Sequence, residues 1–113
     1  MTSTTNYQSG DLVLVAFPYT TGAQTKARPA LDLLDAGDAD VLVARVTTQP
    51  YGTTYDVPIT HWQPAGLLAP SVVRLHKLAT LEKTLLRRML ERLTAADRQR
   101  IGSVIRATCG AWR

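Results

Sequence analysis

Gly10-Asp11-Leu12-Val13-Leu14-Val15-Ala16-Phe17-Pro18 opens an alternation of apolar runs and polar turns that decides the fold. From Asp11 to Phe17 the apolar residues are almost continuous, the pattern of a buried strand. Thr20 to Ala27 is a polar loop that delivers Arg28, and Pro29 starts a second strand, Ala30 to Leu34. Asp35-Ala36-Gly37-Asp38-Ala39-Asp40 is a turn, Val41 to Thr47 a third strand, and Pro50 to Thr54 a further turn. Tyr55-Asp56-Val57-Pro58-Ile59 alternates polar and apolar as a half-buried edge strand does. No helical pattern separates these strands, which argues against a parallel βαβ sheet and favours a small barrel or sandwich.

The second half is mixed. Ser71 to Leu75 reads as a strand. Leu85, Leu86, Met89, Leu90 and Leu93 recur at helical spacing, and periodicity alone predicts an amphipathic helix over Thr84–Leu93. A final helix follows: Thr94 is a good N-cap, Asp97 sits at its third position, and Ile101, Val104, Ile105 and Thr108 share a face. Gly110 is placed to close it.

With 113 residues, 45% of them apolar and only one Phe, the chain predicts a single domain around an aliphatic core. Residues 1–8 read as a flexible polar tail and residues 9–113 as the domain. The N-terminus lacks signal-peptide character and no apolar run reaches bilayer length, so a cytoplasmic location and no membrane partner are expected. The lone Cys109 excludes an internal disulfide and reads as a core residue. Residues 1–73 carry three basic and six acidic side chains, net −3, whereas residues 74–113 carry ten basic and three acidic, net +7. Such a split suits a polyanionic partner, nucleic acid or an acidic protein segment, and equally a solvated basic helix face.

Arg28 and the hydroxyls of Val46-Thr47-Thr48-Gln49 lie at strand ends. A guanidinium matches phosphate geometry bidentately and a hydroxyl donates to a phosphoryl oxygen, so a phosphodiester suits this pair better than most ligands. The alternative reading is an ordinary surface arginine and a threonine that ends a strand. Arg74 and His76 follow in Val72-Val73-Arg74-Leu75-His76; the imidazole is either an acid or base near neutrality or a backbone-bonded structural group. His61, beside Trp62, is read as structural. Tyr19 and Tyr51 lie in the loops flanking the site, where rings stack on unpaired bases, though exposed loop tyrosines occur in any small domain. Metal-ligand spacings, a Gly-rich phosphate loop and a nucleophile paired with a base are all missing, which leads to the expectation of no metal and no cofactor.

The blocks Gly10 to Pro18, Arg28-Pro29-Ala30-Leu31, Val46-Thr47-Thr48-Gln49 and Gly66 to Leu75 with Leu78-Ala79-Thr80-Leu81, in that order, resemble the MazF/PemK family of bacterial toxin endoribonucleases over residues 9 to 108. The resemblance implies a mainly β fold with a C-terminal helix, a small SH3-like β-barrel (CcdB/MazF-like). It also implies a strand, through about Thr80–Leu86 and then a turn, where periodicity predicts a helix. Its functional content is a type II toxin that cuts single-stranded RNA by 2′-OH attack as a homodimer, and an antitoxin partner with an acidic disordered tail. Arg28 and Thr47 align with catalytic residues, and Arg74 with a basic residue used for RNA contact or catalysis. His76 departs from the acidic residue common at that position. Thr48 and Gln49 would position substrate, and Tyr19, Thr20, Thr21, Lys26 and Tyr51 would form the substrate-binding loops. The alternatives are a non-catalytic CcdB-like gyrase-binding toxin and a catalytically degenerate RNA-binding regulator.

Overall fold

The computed structural model describes residues 6–16 and 27–112. Among them, strands β1 (Asp11–Ala16), β2 (Ala27–Leu34), β3 (Asp40–Thr47), β4 (Asp56–Ile59), β5 (Ser71–Glu82) and β6 (Leu86–Arg92) precede helix α1 (Ala95–Cys109). All pairings are antiparallel, in the order β4-β5-β3-β2-β1-β6. This is the mainly β architecture with one C-terminal helix that the sequence predicts. The barrel is only partial, because β4 and β6 remain as two edges of an open sheet. The β4–β5 connection lies in the gap, where the Glu91 amide donates to the Ala65 carbonyl at 3.3 Å.

Because side chains alternate across a strand, the sheet buries two clusters. One joins Leu12, Leu31, Val46, Ile59, Val73 and Leu75 to Leu93 and Ile101, with Val104 and Ile105 of α1 packed against it. The other holds Val13, Val15, Ala30, Val41, Val43 and Leu81. Directly paired residues share a face, and one such row crosses the whole sheet: Asp56, Arg74, Arg45, Ala30, Val13, Met89. Val13 and Ala30 of this row belong to the second cluster, and its charged half forms the site described below. Asp32, on β2, is also fully buried. Among the described residues, neither of its carboxylate oxygens has a hydrogen-bond partner. Burial, reinforced by the charges of Asp35 and Asp11, raises its pKa to about 6.

The structure alters several expectations. Residues 86–92 form strand β6, not a helix; Lys83–Leu85 is a single 3₁₀ turn between two strands, and β5 is one long strand through Glu82. Two register shifts between β1 and β6 explain the misleading periodicity. Val15 pairs with Leu86 and Val13 with Met89, so the β6 positions opposite one face of β1 are three residues apart instead of two. Strand β2 begins at Ala27, which places Arg28 within the ladder opposite Val15. Pro29 fits there because β2 is paired only with β1 at that end, the β2–β3 register starting at Ala30. The end of the expected tail is tied down: the Tyr7 amide donates to Asp35 at 2.6 Å and the Gln8 amide to Asp11 at 2.7 Å. Cys109 and Thr108 are exposed, since the last turn of α1 extends past the core. Gly110 stays right-handed, with φ −64°, and leads into a 3₁₀ turn, Gly110–Trp112.

The start of α1 is built as the sequence predicts. The Thr94 hydroxyl accepts from the Asp97 amide at 3.3 Å. Asp97 is fully buried and accepts from the amides of Thr60 (3.2 Å) and His61 (2.9 Å) and from Arg100. Burial alone would raise its pKa, but these donors hold it below the usual carboxylate range. His61 closes the same junction, its Nδ1 lying 3.3 Å from the Thr94 hydroxyl.

Candidate anion-binding site at the β2–β3 split

Beyond the Ala30–Arg45 pair, β2 continues against β1 alone, while β3 continues against β5 through Arg45–Arg74 and Thr47–Val72. The two central strands therefore part at this end of the sheet. A cavity of about 220 Å³ opens there, lined by Arg28, Arg45, Thr47, Gln49, Tyr51 and Arg74. Arg28 comes from β2, Arg45 and Thr47 from β3, Arg74 from β5, and Gln49 and Tyr51 from the turn after β3.

Arg74 is the fixed member. Its Nε donates to Asp56 Oδ1 at 2.9 Å, and its guanidinium carbon lies 3.6 Å from the centre of the Tyr51 ring. Asp56 also accepts from the Thr53 amide (3.0 Å) and hydroxyl (2.6 Å). Burial would raise the pKa of Asp56, but the Thr53 and Arg74 hydrogen bonds outweigh it and bring the value down to about 2. Tyr51 is set in turn by its hydroxyl, which donates to Gln49 Oε1 at 3.0 Å. The Thr47 hydroxyl oxygen accepts from the Gln49 amide at 3.2 Å, which leaves its O–H free to donate. Among the described residues, no carboxylate lies within ion-pair distance of Arg28 or Arg45. Three guanidiniums thus face one buried carboxylate, and the cavity carries a positive excess suited to an anion with several oxygens.

Of the residues singled out from sequence, Arg28, Thr47, Gln49, Tyr51 and Arg74 meet here. Thr48 is exposed and outside the lining, its side chain alternating away from that of Thr47. His76 is also outside. Its Nε2 lies 3.3 Å from Arg74 Nη2, which can only donate, so the ring is an acceptor there; its centroid is 5.5 Å from that of Tyr55. Tyr19, Thr20, Thr21 and Lys26 lie outside the described residues. Arg45 is the lining residue that sequence reasoning missed. Its signal is parity: in an otherwise apolar strand, Arg45 shares a face with Thr47.

Sequence comparison with curated proteins returns no match. Solved structures give clear ones. The fold is similar to that of the Mycobacterium tuberculosis toxin MazF-mt6 (TM-score 0.72, 25% identity, 88% of this chain and 96% of that one). It is similar also to an endoribonuclease from a mycobacterial species in complex with its cognate antitoxin (TM-score 0.71, 22% identity, 89% and 92%). A third match is the MazE–MazF structure from Deinococcus radiodurans (TM-score 0.72, 20% identity, 95% and 98%). Residues 8–108 match the family described as the PemK-like, MazF-like toxin of type II toxin-antitoxin systems. A match over nearly the whole chain, on a fold these structures share, shows that the chain belongs to the PemK-like, MazF-like toxin family.

Proposed function

We propose that the protein is the endoribonuclease toxin of its pair and that the cavity at the β2–β3 split cuts single-stranded RNA. The observation that carries this reading is the convergence of Arg28 and Thr47, from two parted strands, on a space bounded by guanidiniums, hydroxyls and an amide. The ribose 2′-oxygen attacks the adjacent phosphorus and loses its proton. The P–O5′ bond then breaks, and the 5′-oxygen takes up a proton, leaving a 2′,3′-cyclic phosphate and a 5′-hydroxyl. Charge peaks on the pentacoordinate phosphorane, where preorganised donors act most strongly. Arg28 supplies charge, Thr47 a neutral donor, and Arg74 a third contact held in place by Asp56 and Tyr51. The positive charge the reaction needs comes from these side chains, which supports a reaction independent of metal ions.

A homodimer and an acidic antitoxin segment complete the proposal. Leu75 and Leu81 are buried within the chain and are not available to a partner. Leu34 and Leu78 are exposed, and Leu34 pairs with the half-buried Leu42, so these apolar side chains are the ones a second copy would cover. The cationic cavity suits an acidic chain as well as it suits RNA, which fits inhibition by occupation of the site.

The test is cleavage of a single-stranded RNA in EDTA, with the product ends identified. Arg28→Ala and Thr47→Val should each slow cleavage about a hundred- to a thousandfold while leaving the fold intact. Full activity in Arg28→Ala, or a strict requirement for magnesium, would overturn the reading.

A further inference from the structure

Arg45 is the charged residue of the cavity to which the chemistry above gives no task. It stands directly opposite Arg74 across the β3–β5 pair, and like charges in that position destabilise a sheet. Asp56 neutralises Arg74, while among the described residues no carboxylate reaches Arg45. A sheet that keeps this repulsion at the floor of a polar cavity recovers the cost when an anion binds.

The spacing says which anion. Arg28 and Thr47 stand on the two lips of the split, each two residues beyond the Ala30–Arg45 pair. Two residues of antiparallel strand span about 7 Å, close to the separation of successive phosphates along an extended single strand. Charge agrees with spacing: among the described residues, three guanidiniums less one carboxylate leave an excess matched by two phosphodiester monoanions. Resting on the endoribonuclease reading, we propose that Arg45 forms a second phosphate subsite, holding the phosphate next to the scissile one. Its contact is the same in the ground state and the transition state, so it sets KM and the substrate length the enzyme needs, and leaves kcat alone.

The experiment compares wild type with Arg45→Gln, and with Arg45→Lys as a variant that keeps the charge. Binding is read on an oligoribonucleotide with a 2′-deoxy residue at the cleavage site, so that affinity is measured without cutting. Arg45→Gln should weaken binding about ten- to a hundredfold and lower the slope of log affinity against log salt by about 0.7, one phosphate contact on a single strand. Arg45→Lys should keep that slope. A neutral methylphosphonate scanned along the oligonucleotide should weaken wild-type binding at one linkage flanking the cleavage site, and that linkage should cost Arg45→Gln nothing further. On a cleavable RNA, Arg45→Gln should raise KM with kcat unchanged. With RNA absent, its melting temperature should equal or exceed that of wild type, because a like-charge pair is gone. Unchanged affinity and salt slope would overturn the subsite, as would a fall in kcat with affinity intact, which would assign Arg45 to the scissile phosphate. Failure of wild type to cut RNA, with the flanking-phosphate dependence present, would refute the nuclease reading and leave the subsite standing.

Discussion

Replacing Asp56 by asparagine removes the charge that holds Arg74 in the cavity wall, with little change in shape. The carboxylate accepts three hydrogen bonds, two from Thr53 and one from Arg74 Nε, and its side chain is fully buried. An asparagine oxygen can keep the Thr53 bonds, so the loss is mainly the charge-assisted bond to Arg74, about 2 kcal/mol. For a domain near this size that lowers the melting temperature by about 10 °C. The pH dependence identifies the cause. The folded-state pKa is held at about 2, below the ordinary 3.8, so the stabilisation is complete above about pH 4 and disappears as the pH falls towards 2. Urea unfolding of wild type and Asp56→Asn between pH 7 and pH 2.5 should therefore give a gap that narrows through the acid range. Cleavage at pH 7 should fall about ten- to a hundredfold, because Arg74 loses its fixed position. A stability gap that persists undiminished at pH 2.5, or no gap at pH 7, would refute the account of Asp56 as an ionic anchor.

His76→Gln should retain most of its activity, well short of the roughly hundredfold loss that follows removal of a general base, because Nε2 of His76 already accepts from Arg74; a pH–rate profile that loses a limb would contradict this. Asp32→Asn should change the opposite end of the sheet. With its pKa raised from 3.8 to about 6, Asp32 makes the wild type less stable as the pH rises from about 4 to about 6. The variant should lack that slope and gain on the order of 1–3 kcal/mol at pH 7, read by denaturant unfolding. The double variant Arg28→Ala, Thr47→Val should lose far less than the product of the single losses, since both side chains act on one developing charge; multiplicative losses in single-turnover cleavage would separate their roles.

Local signals explain what the sequence makes readable. Short apolar runs divided by Gly, Pro and Asp turns predict antiparallel strands because each run satisfies its burial locally. Thr94 and Asp97 mark the start of the helix because capping is a contact between neighbours in sequence. The failures are non-local. β6 reads as a helix because its two register shifts against β1 stretch a two-residue period to three. Arg28 and Thr47 are visible as residue types at strand ends, but their meeting depends on β2 and β3 parting beyond the Ala30–Arg45 pair, which no local pattern encodes. The Asp56–Arg74 anchor spans eighteen residues and exists only through the β4–β5 register. Arg45 was open to discovery by parity with Thr47.

The pairing of β5 with β3 is interrupted where Arg45 pairs with Arg74 and the next residue back, Ala44, pairs with Leu78. Arg74 and Leu81 are seven residues apart, so an unbroken strand would send them to opposite sides. Residues 75–77 are skipped by β3, and that odd number brings both side chains round to the side shared by Arg45 and Val41. The interruption is thus a phase shift that lets one strand serve the cavity at one end and the second apolar cluster at the other. What it holds constant is a count. Chemical identity at 76 and 77 is open to drift, whereas loss or gain of a single residue there turns either Arg74 out of the cavity or Leu81 out of the core. Along this segment, divergence within the fold should spare length before it spares side chains.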